Sequence, residues 1–191
     1  MNDLPPNPPP PVNPPLNPPM TPARRAGWRF MFSHPAHPIA LGFGAGLAPF
    51  APGTVGTLWA WAAYLLLRPG LGDLHWAAVL LGSLAVGWWA CTATARHMGT
   101  ADPSAVVWDE VIAFWLILWL ITPASFWAQA GAFVLFRFFD AAKPGPVAWA
   151  DKLFKIRRSQ PIGWAQGFGI LFDDLVAALC TLMVIALWRA W

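Results

Sequence analysis

The stretch LHWAAVLLGSLAVGWWACTATA, residues 74–95, contains no Asp, Glu, Lys or Arg and is long enough to cross a bilayer as a single helix. The rest of the chain follows its lead. Only 11% of the 191 residues are charged and 57% are hydrophobic, whereas a soluble domain carries about 25% charged residues. The composition therefore predicts an all-α, polytopic membrane bundle, with room for about five spanning helices of roughly 20 residues each. Ser83 and Gly87, four apart, are small enough to let a second helix approach closely.

Working outward, further helices are predicted from about Gly53–Thr54 (with Thr54 as N-cap) to Leu67 or Leu71, over Ala105–Ile121, over Ala124–Asp140 and over Gly167–Trp188. Residues 40–57 (ALGFGAGLAPFAPGTVGT) hold five glycines, two prolines and no charge. A helix interior tolerates that badly, so this segment is predicted to form a glycine-rich re-entrant or surface loop. Residues 143–166 mix Lys143, Lys152, Lys155, Arg157 and Arg158 with Leu153, Phe154 and Ile156, flanked by Trp149 and Trp164. That pattern predicts a short amphipathic helix lying on the membrane surface. Residues 1–32 form a proline-rich tail with a basic flank, expected to be disordered and lacking the apolar core of a signal peptide. Residues 33–191 form the membrane-embedded domain.

Five crossings put Arg24, Arg25, Arg29, Arg96, Arg137, Lys143, Lys152, Lys155, Arg157 and Arg158 on one side and only Arg68 and Arg189 on the other. The positive-inside rule makes the first side cytoplasmic. Membrane lipids are the natural partners of these basic groups, and nothing resembles a nucleic-acid-binding surface. Cys91 and Cys180 lie in apolar stretches and read as small buried hydrophobes. His34, His37, His75 and His97 share no metal-binding spacing and read as interfacial, with His97 a candidate for proton transfer.

The carboxylates carry the chemistry. Six of the nine acids fall in three clusters, Asp102 with Asp109–Glu110, Asp140, and Asp173–Asp174. Each cluster sits at the edge of an apolar run on the predicted cytoplasmic side. Acids are costly beside hydrocarbon, which makes them candidates for function, and acids from separate segments suit a shared divalent cation. A purely structural role, acids complementing a helix dipole, explains Asp102 better than a pair placed several residues inside a helix. Arg137, three before Asp140, and Lys143, three after it, suit a phosphate held beside its cation, or else a local ion pair. In the glycine-rich loop, Gly53, Thr54 and Thr57 can present backbone N–H groups and hydroxyls to a phosphate, or the glycines can serve close helix packing.

Four segments, GFGAGLAPFAPGTVGT (42–57), VVWDE (106–110), FRFFDAAKP (136–144) and GFGILFDD (167–174), together resemble the phosphatidylglycerophosphatase A family, from about Ser33 to the C-terminus. The resemblance implies a Mg²⁺-dependent phosphatase of the bacterial inner (cytoplasmic) membrane that converts phosphatidylglycerophosphate to phosphatidylglycerol. The acidic positions it implies are Asp109, Glu110, Asp140, Asp173 and Asp174, and the basic ones Arg137 and Lys143. Thr57 replaces the family's usual serine, Ala178 a frequent glycine, and the stretch from Asp151 to Gly167 is longer than usual.

The resulting expectation is that Asp109, Asp140 and Asp173 or Asp174 ligate Mg²⁺, with Glu110 as ligand or base. Arg137, Lys143 and the loop at Gly53–Thr57 would clamp the terminal phosphate. Mg²⁺ keeps several waters, so five acids exceed the needs of one ion and some would do other work. Direct attack by water and an aspartyl-phosphate intermediate both remain open, as does the oligomeric state. An ion- or proton-coupled transporter also uses buried acids but places them near mid-membrane. A lipid-binding scaffold would leave the acids without a purpose.

Overall fold

The computed structural model describes residues 26–155 and 162–191, and every element among them is helical. The proline-rich tail with Arg24 and Arg25, and Ile156, Arg157 and Arg158 of the amphipathic segment, lie outside the described residues. Two short helices, α1 (Trp28–Met31) and α2 (Ala36–Ala40), lead into a 3₁₀ turn at Gly42–Leu47. Then follow α3 (Pro52–Leu67), α4 (Asp73–Met98), α5 (Trp108–Ile121), α6 (Phe126–Ala142), α7 (Pro146–Lys155) and α8 (Trp164–Ala190).

The core is built around α5, which contacts α3, α4, α6 and α8. From Val111 through Ile121 nearly every α5 residue is apolar and most are buried, as a helix enclosed on all sides requires. Close packing and satisfied polar groups hold such helices together where apolar surroundings offer little hydrophobic drive. Gly87 admits the Trp108 indole, and Trp108 Nε1 donates to Ser83 O at 3.2 Å. The small pair on α4 thus receives α5 as its spacing predicts. Trp115 Nε1 donates to Ala60 O at 2.8 Å, tying α5 to α3.

The five long helices stand where the sequence places them, with altered ends. Asp73–Met98 and Trp164–Ala190 are long and apolar enough to cross a membrane. Three others, α3, α5 and α6, have 16, 14 and 17 residues, short of the roughly 20 that a hydrocarbon core asks for. Thr54 is not the N-cap of α3. Ala51, left-handed at φ 45°, holds that position and Pro52 occupies the first turn. The glycine-rich segment is a 3₁₀ turn interrupted by left-handed Phe43, in keeping with a loop rather than a helix. Within the amphipathic segment α7 forms as expected up to Lys155.

Candidate active site

The site begins where α5 begins. Val107 N donates to Ala40 O at 2.9 Å, which pins the entry of α5 against the end of α2 and starts the helix at Trp108. Asp109 and Glu110 consequently occupy the first turn of α5, not positions several residues inside it. The dipole argument set aside on sequence grounds thus applies to them, since a helix N-terminus favours acids. It does not account for their burial. Glu110 is 9% exposed, and Glu110 Oε2 and Asp109 Oδ1 are buried without a hydrogen-bond partner.

Asp174 comes from α8, whose start at Trp164 puts Asp173–Asp174 in the third turn rather than the second. It is 4% exposed, and its Oδ2 is likewise buried and unpartnered. Asp109, Glu110 and Asp174 each offer one carboxylate oxygen, all within 4.8 Å of one another. An unpaired buried carboxylate is expensive, and three together repel. Oxygen donors at this spacing form a set that can hold a hard divalent cation.

Asp140 on α6 lies within hydrogen-bonding reach of the Asp174 carboxyl. Arg137, one turn earlier, donates to Asp140 Oδ2 at 2.5 Å and lies 3.7 Å from Glu110 Oε1. The guanidinium therefore borders the acid group without filling it. Gly53, in the first turn of α3, completes the wall. A Cβ there would overlap Glu110 Oε1 and come within 3.2 Å of both Arg137 Nη atoms. The packing explanation suits other loop glycines, since Gly46 and Gly56 lie against Ala105 and Val107. Gly53 alone of these three abuts the charged groups. Thr54 is half-buried in the same turn. Thr57 is fully buried and its hydroxyl donates to Gly53 O at 2.8 Å, so it braces α3 instead of facing a phosphate.

Lys143 and Asp173 form a second group. Lys143 caps α6 in the left-handed region, φ 45°, a strained conformation for a residue with a side chain. Its Nζ donates to Asp173 Oδ2 at 2.5 Å and to Asp151 Oδ1 at 2.8 Å. Burial alone would lower its pKa, but bonds to Asp151 and Asp173 and their charges outweigh that and hold the amine above the ordinary lysine value. Asp102 is exposed, with its charge facing Asp173. Asp102, Asp151, Asp173 and Gln166 line one small cavity.

The phosphatidylglycerophosphatase A family model matches residues 38–189. The chain belongs to that family. A phosphatidylglycerophosphatase A of Escherichia coli is 37% identical over 152 residues, covering 79% of this chain and 81% of the relative. The Haemophilus influenzae protein of the same name is 33% identical over 158 residues, covering 83% and 91%. A Bacteroides thetaiotaomicron relative, 35% identical over 159 residues (79% and 91%), is provisionally named a phosphatidylinositol-3-phosphatase. No solved structure matches.

Sequence reasoning about this phosphatidylglycerophosphatase A family member missed two things. Asp151 received no role, although a lone acid among the lysines of an amphipathic helix is a usable signal for an ion pair. The histidines were read as scattered, yet His34, His37 and His97 converge, each offering a ring nitrogen within 4.8 Å of the others. Burial lowers the His37 pKa from the ordinary histidine value. The Phe30 carbonyl opposes that shift, and His97 and His34 add to it. Spacing could not reveal this group, because His97 sits at the far end of α4. His75 is exposed elsewhere. Cys91 is buried and Cys180 half-buried, both free thiols.

Proposed function

We propose that this protein is a Mg²⁺-dependent lipid phosphatase that hydrolyses phosphatidylglycerophosphate to phosphatidylglycerol and phosphate. The observation that carries the reading is the group of three buried, unpartnered carboxylate oxygens on Asp109, Glu110 and Asp174, bordered by Arg137 and the first turn of α3. Family membership supplies the substrate, through the names of the Escherichia coli and Haemophilus influenzae relatives.

Asp109, Glu110 and Asp174 would hold the cation. Once bound, Mg²⁺ supplies positive charge for the phosphate oxygens and favours deprotonation of water. The protein contributes position. Arg137 presents its guanidinium to a phosphate oxygen, and Asp140 fixes that guanidinium from behind. Gly53 and Thr54, in the first turn of α3 beside this group, would offer backbone N–H groups to the negative charge of a phosphate. Over the whole reaction a water oxygen replaces the glycerol oxygen on phosphorus, and the leaving oxygen takes up a proton that the water gives up. Phosphate monoesters hydrolyse among the slowest of uncatalysed reactions, so this electrostatic framework must remove a very large barrier. Of the five acids, Asp140 and Asp173 are assigned to positioning, because each is hydrogen-bonded to a cationic side chain at 2.5 Å, whereas Glu110 lies 3.7 Å from Arg137 and keeps its other oxygen unpartnered.

The bilayer setting rests on the two long apolar helices and on the outward-facing apolar side chains, among them Leu66, Leu74, Leu81, Trp127, Met183 and Trp188. We assign all five long helices to the bacterial cytoplasmic membrane, the three short ones accommodated by local thinning and polar flanks. Arg189, which donates to Ile121 O, and Arg68 mark the outer end. The acids then face the cytoplasm, and the diacylglycerol tails stay in the inner leaflet.

The test is phosphate release from phosphatidylglycerophosphate by purified protein in detergent, with Mg²⁺, after chelation, and after Mg²⁺ is restored. Release that falls at least about a hundredfold on chelation and returns with Mg²⁺ is expected. A folded sample that releases nothing with Mg²⁺ present would refute the assignment. Running phosphatidylinositol 3-phosphate in parallel tests the headgroup, and a faster rate on it would move the protein to the other named activity.

A further inference from the structure

Apart from the acids of the core, a separate group of side chains has the makings of a second metal site. Phe30, Ser33, His34, His37 and His97 line an open pocket of about 350 Å³. His34 and His37 come from the α1–α2 segment, and His97 comes from the last turn of α4. We propose that His34, His37 and His97 form a three-histidine site for a divalent transition cation of the Zn²⁺ class, with its remaining coordination positions open to the pocket.

Hydrogen bonding fixes the chemistry of the buried member. A carbonyl can only accept, so the 2.8 Å contact between His37 Nδ1 and Phe30 O places the proton on Nδ1. Nε2 is left with its lone pair directed toward His97. Metal-bound histidines show this arrangement, in which the far N–H is tied to a backbone carbonyl that sets tautomer and ring orientation. Phe30 also stacks on the His37 ring, with centroids 4.0 Å apart and planes 12° from parallel, which restricts its rotation. His37 Nε2 lies 2.8 Å from His97 Nδ1, about half an ångström closer than two nitrogens that share one tetrahedral ion at about 2.0–2.1 Å from each, so the exposed His97 ring has to swing back slightly to admit the ion. The metal takes the place of the proton between them. His97, which is exposed, would then carry its one imidazole proton on Nε2.

His34 supplies the third nitrogen within 4.8 Å of the other two. The Ala36 amide points at its Nδ1 at 3.2 Å, a long bond. Whichever His34 nitrogen ligates, that bond is given up, and metal ligation replaces it. Neutral imidazoles suit Zn²⁺, Ni²⁺ and Cu²⁺, whereas Mg²⁺ takes oxygen donors, so the histidine group and the acid group select different ions. Occupancy would bolt the α1–α2 segment to the end of α4. The far end of α2 carries Ala40, whose carbonyl anchors the start of α5.

The experiment is calorimetric titration of Zn²⁺ into metal-stripped, full-length protein without a histidine tag, in detergent and excess Mg²⁺. One Zn²⁺ per chain is expected. His97→Ala and His34→Ala, both at solvent-accessible positions, should each raise Kd at least about tenfold. Asp109→Asn/Asp174→Asn should leave Zn²⁺ affinity unchanged. Native protein that binds no Zn²⁺, histidine variants that bind as tightly as the native chain, or an aspartate variant that loses Zn²⁺ would each overturn the site. Replacing Zn²⁺ with Co²⁺ gives a second readout that does not depend on variants, the visible spectrum of nitrogen-ligated cobalt. A spectrum unchanged from aqueous cobalt would also count against it.

Discussion

Asp173 and Asp174 are neighbours on one helix and both buried, yet they live in opposite electrostatic circumstances. Successive helical residues point about 100° apart. Asp173 turns toward Lys143, which also holds Asp151, and the negative charge there is answered within the protein. Asp174 turns toward Asp109 and Glu110, where three oxygens have no partner. A satisfied charge cluster ties elements together, here α6, α7 and α8. A cluster left in deficit is held by the fold against its own repulsion, and it has a use only if a cation arrives. Motif matching treats the two aspartates alike, and geometry separates them.

Substitutions can break or sharpen this contrast. The largest effect is expected on the deficient side, where Asp174→Asn or Asp109→Asn should lower kcat/KM by about 10³-fold or more while the protein remains folded. Near-native turnover in either would remove it from the site. Arg137→Ala should cost about 10²–10³-fold, and Arg137→Lys should recover little of it, because a point charge does not reproduce the guanidinium fork. Gly53→Ala puts a methyl group against Glu110 and Arg137 and should cost roughly 10–10²-fold in kcat, the penalty of displacing those groups by about 1 Å.

On the paired side the effects should fall on stability instead. Asp151→Asn removes one of two partners of Lys143, worth about 1 kcal/mol, or a drop in Tm of about 3 °C, with turnover within about threefold of native. A loss of turnover comparable to that of Asp174→Asn would erase the distinction between the two sides. The pH dependence is the smallest effect. Lys143 has a raised pKa in the fold, so its contribution is fully present below the unfolded lysine value of about 10.4 and fades only as pH rises through the higher folded value. The Tm difference between native and Asp151→Asn should therefore be the same at pH 8 and pH 9, where the carboxylates around Lys143 are all ionised.

Legibility in the sequence followed the cost of each feature. Uninterrupted apolar runs made α4 and α8 plain, and carboxylates beside such runs stood out because few environments tolerate them. The glycine-rich segment announced itself as irregular backbone. Helix ends were harder, because tertiary contacts set them. The start of α5 depends on a hydrogen bond from Val107 to Ala40, and that of α8 on Gln166 Oε1 accepting from Gly163 N at 2.8 Å. No local pattern encodes the first contact, while the second is a local cap that a glycine in place of Ser or Thr at the first position conceals. Thr57 looked available because its hydroxyl is polar, but in a buried helix that hydroxyl bonds to its own backbone. The pairing of Lys143 with Asp151, and the meeting of His37 with His97, depend on how distant segments pack.

The central claim is that Asp109, Glu110 and Asp174 share one divalent cation. Mn²⁺ in place of Mg²⁺ allows it to be located by anomalous diffraction from crystals of the active protein. The account predicts a peak among these three side chains, about 2.2 Å from a carboxylate oxygen of each. A Mn²⁺ ion bound at the Lys143–Asp173–Asp151 group instead, or no peak among the three acids in crystals whose protein turns over with Mn²⁺, would contradict it.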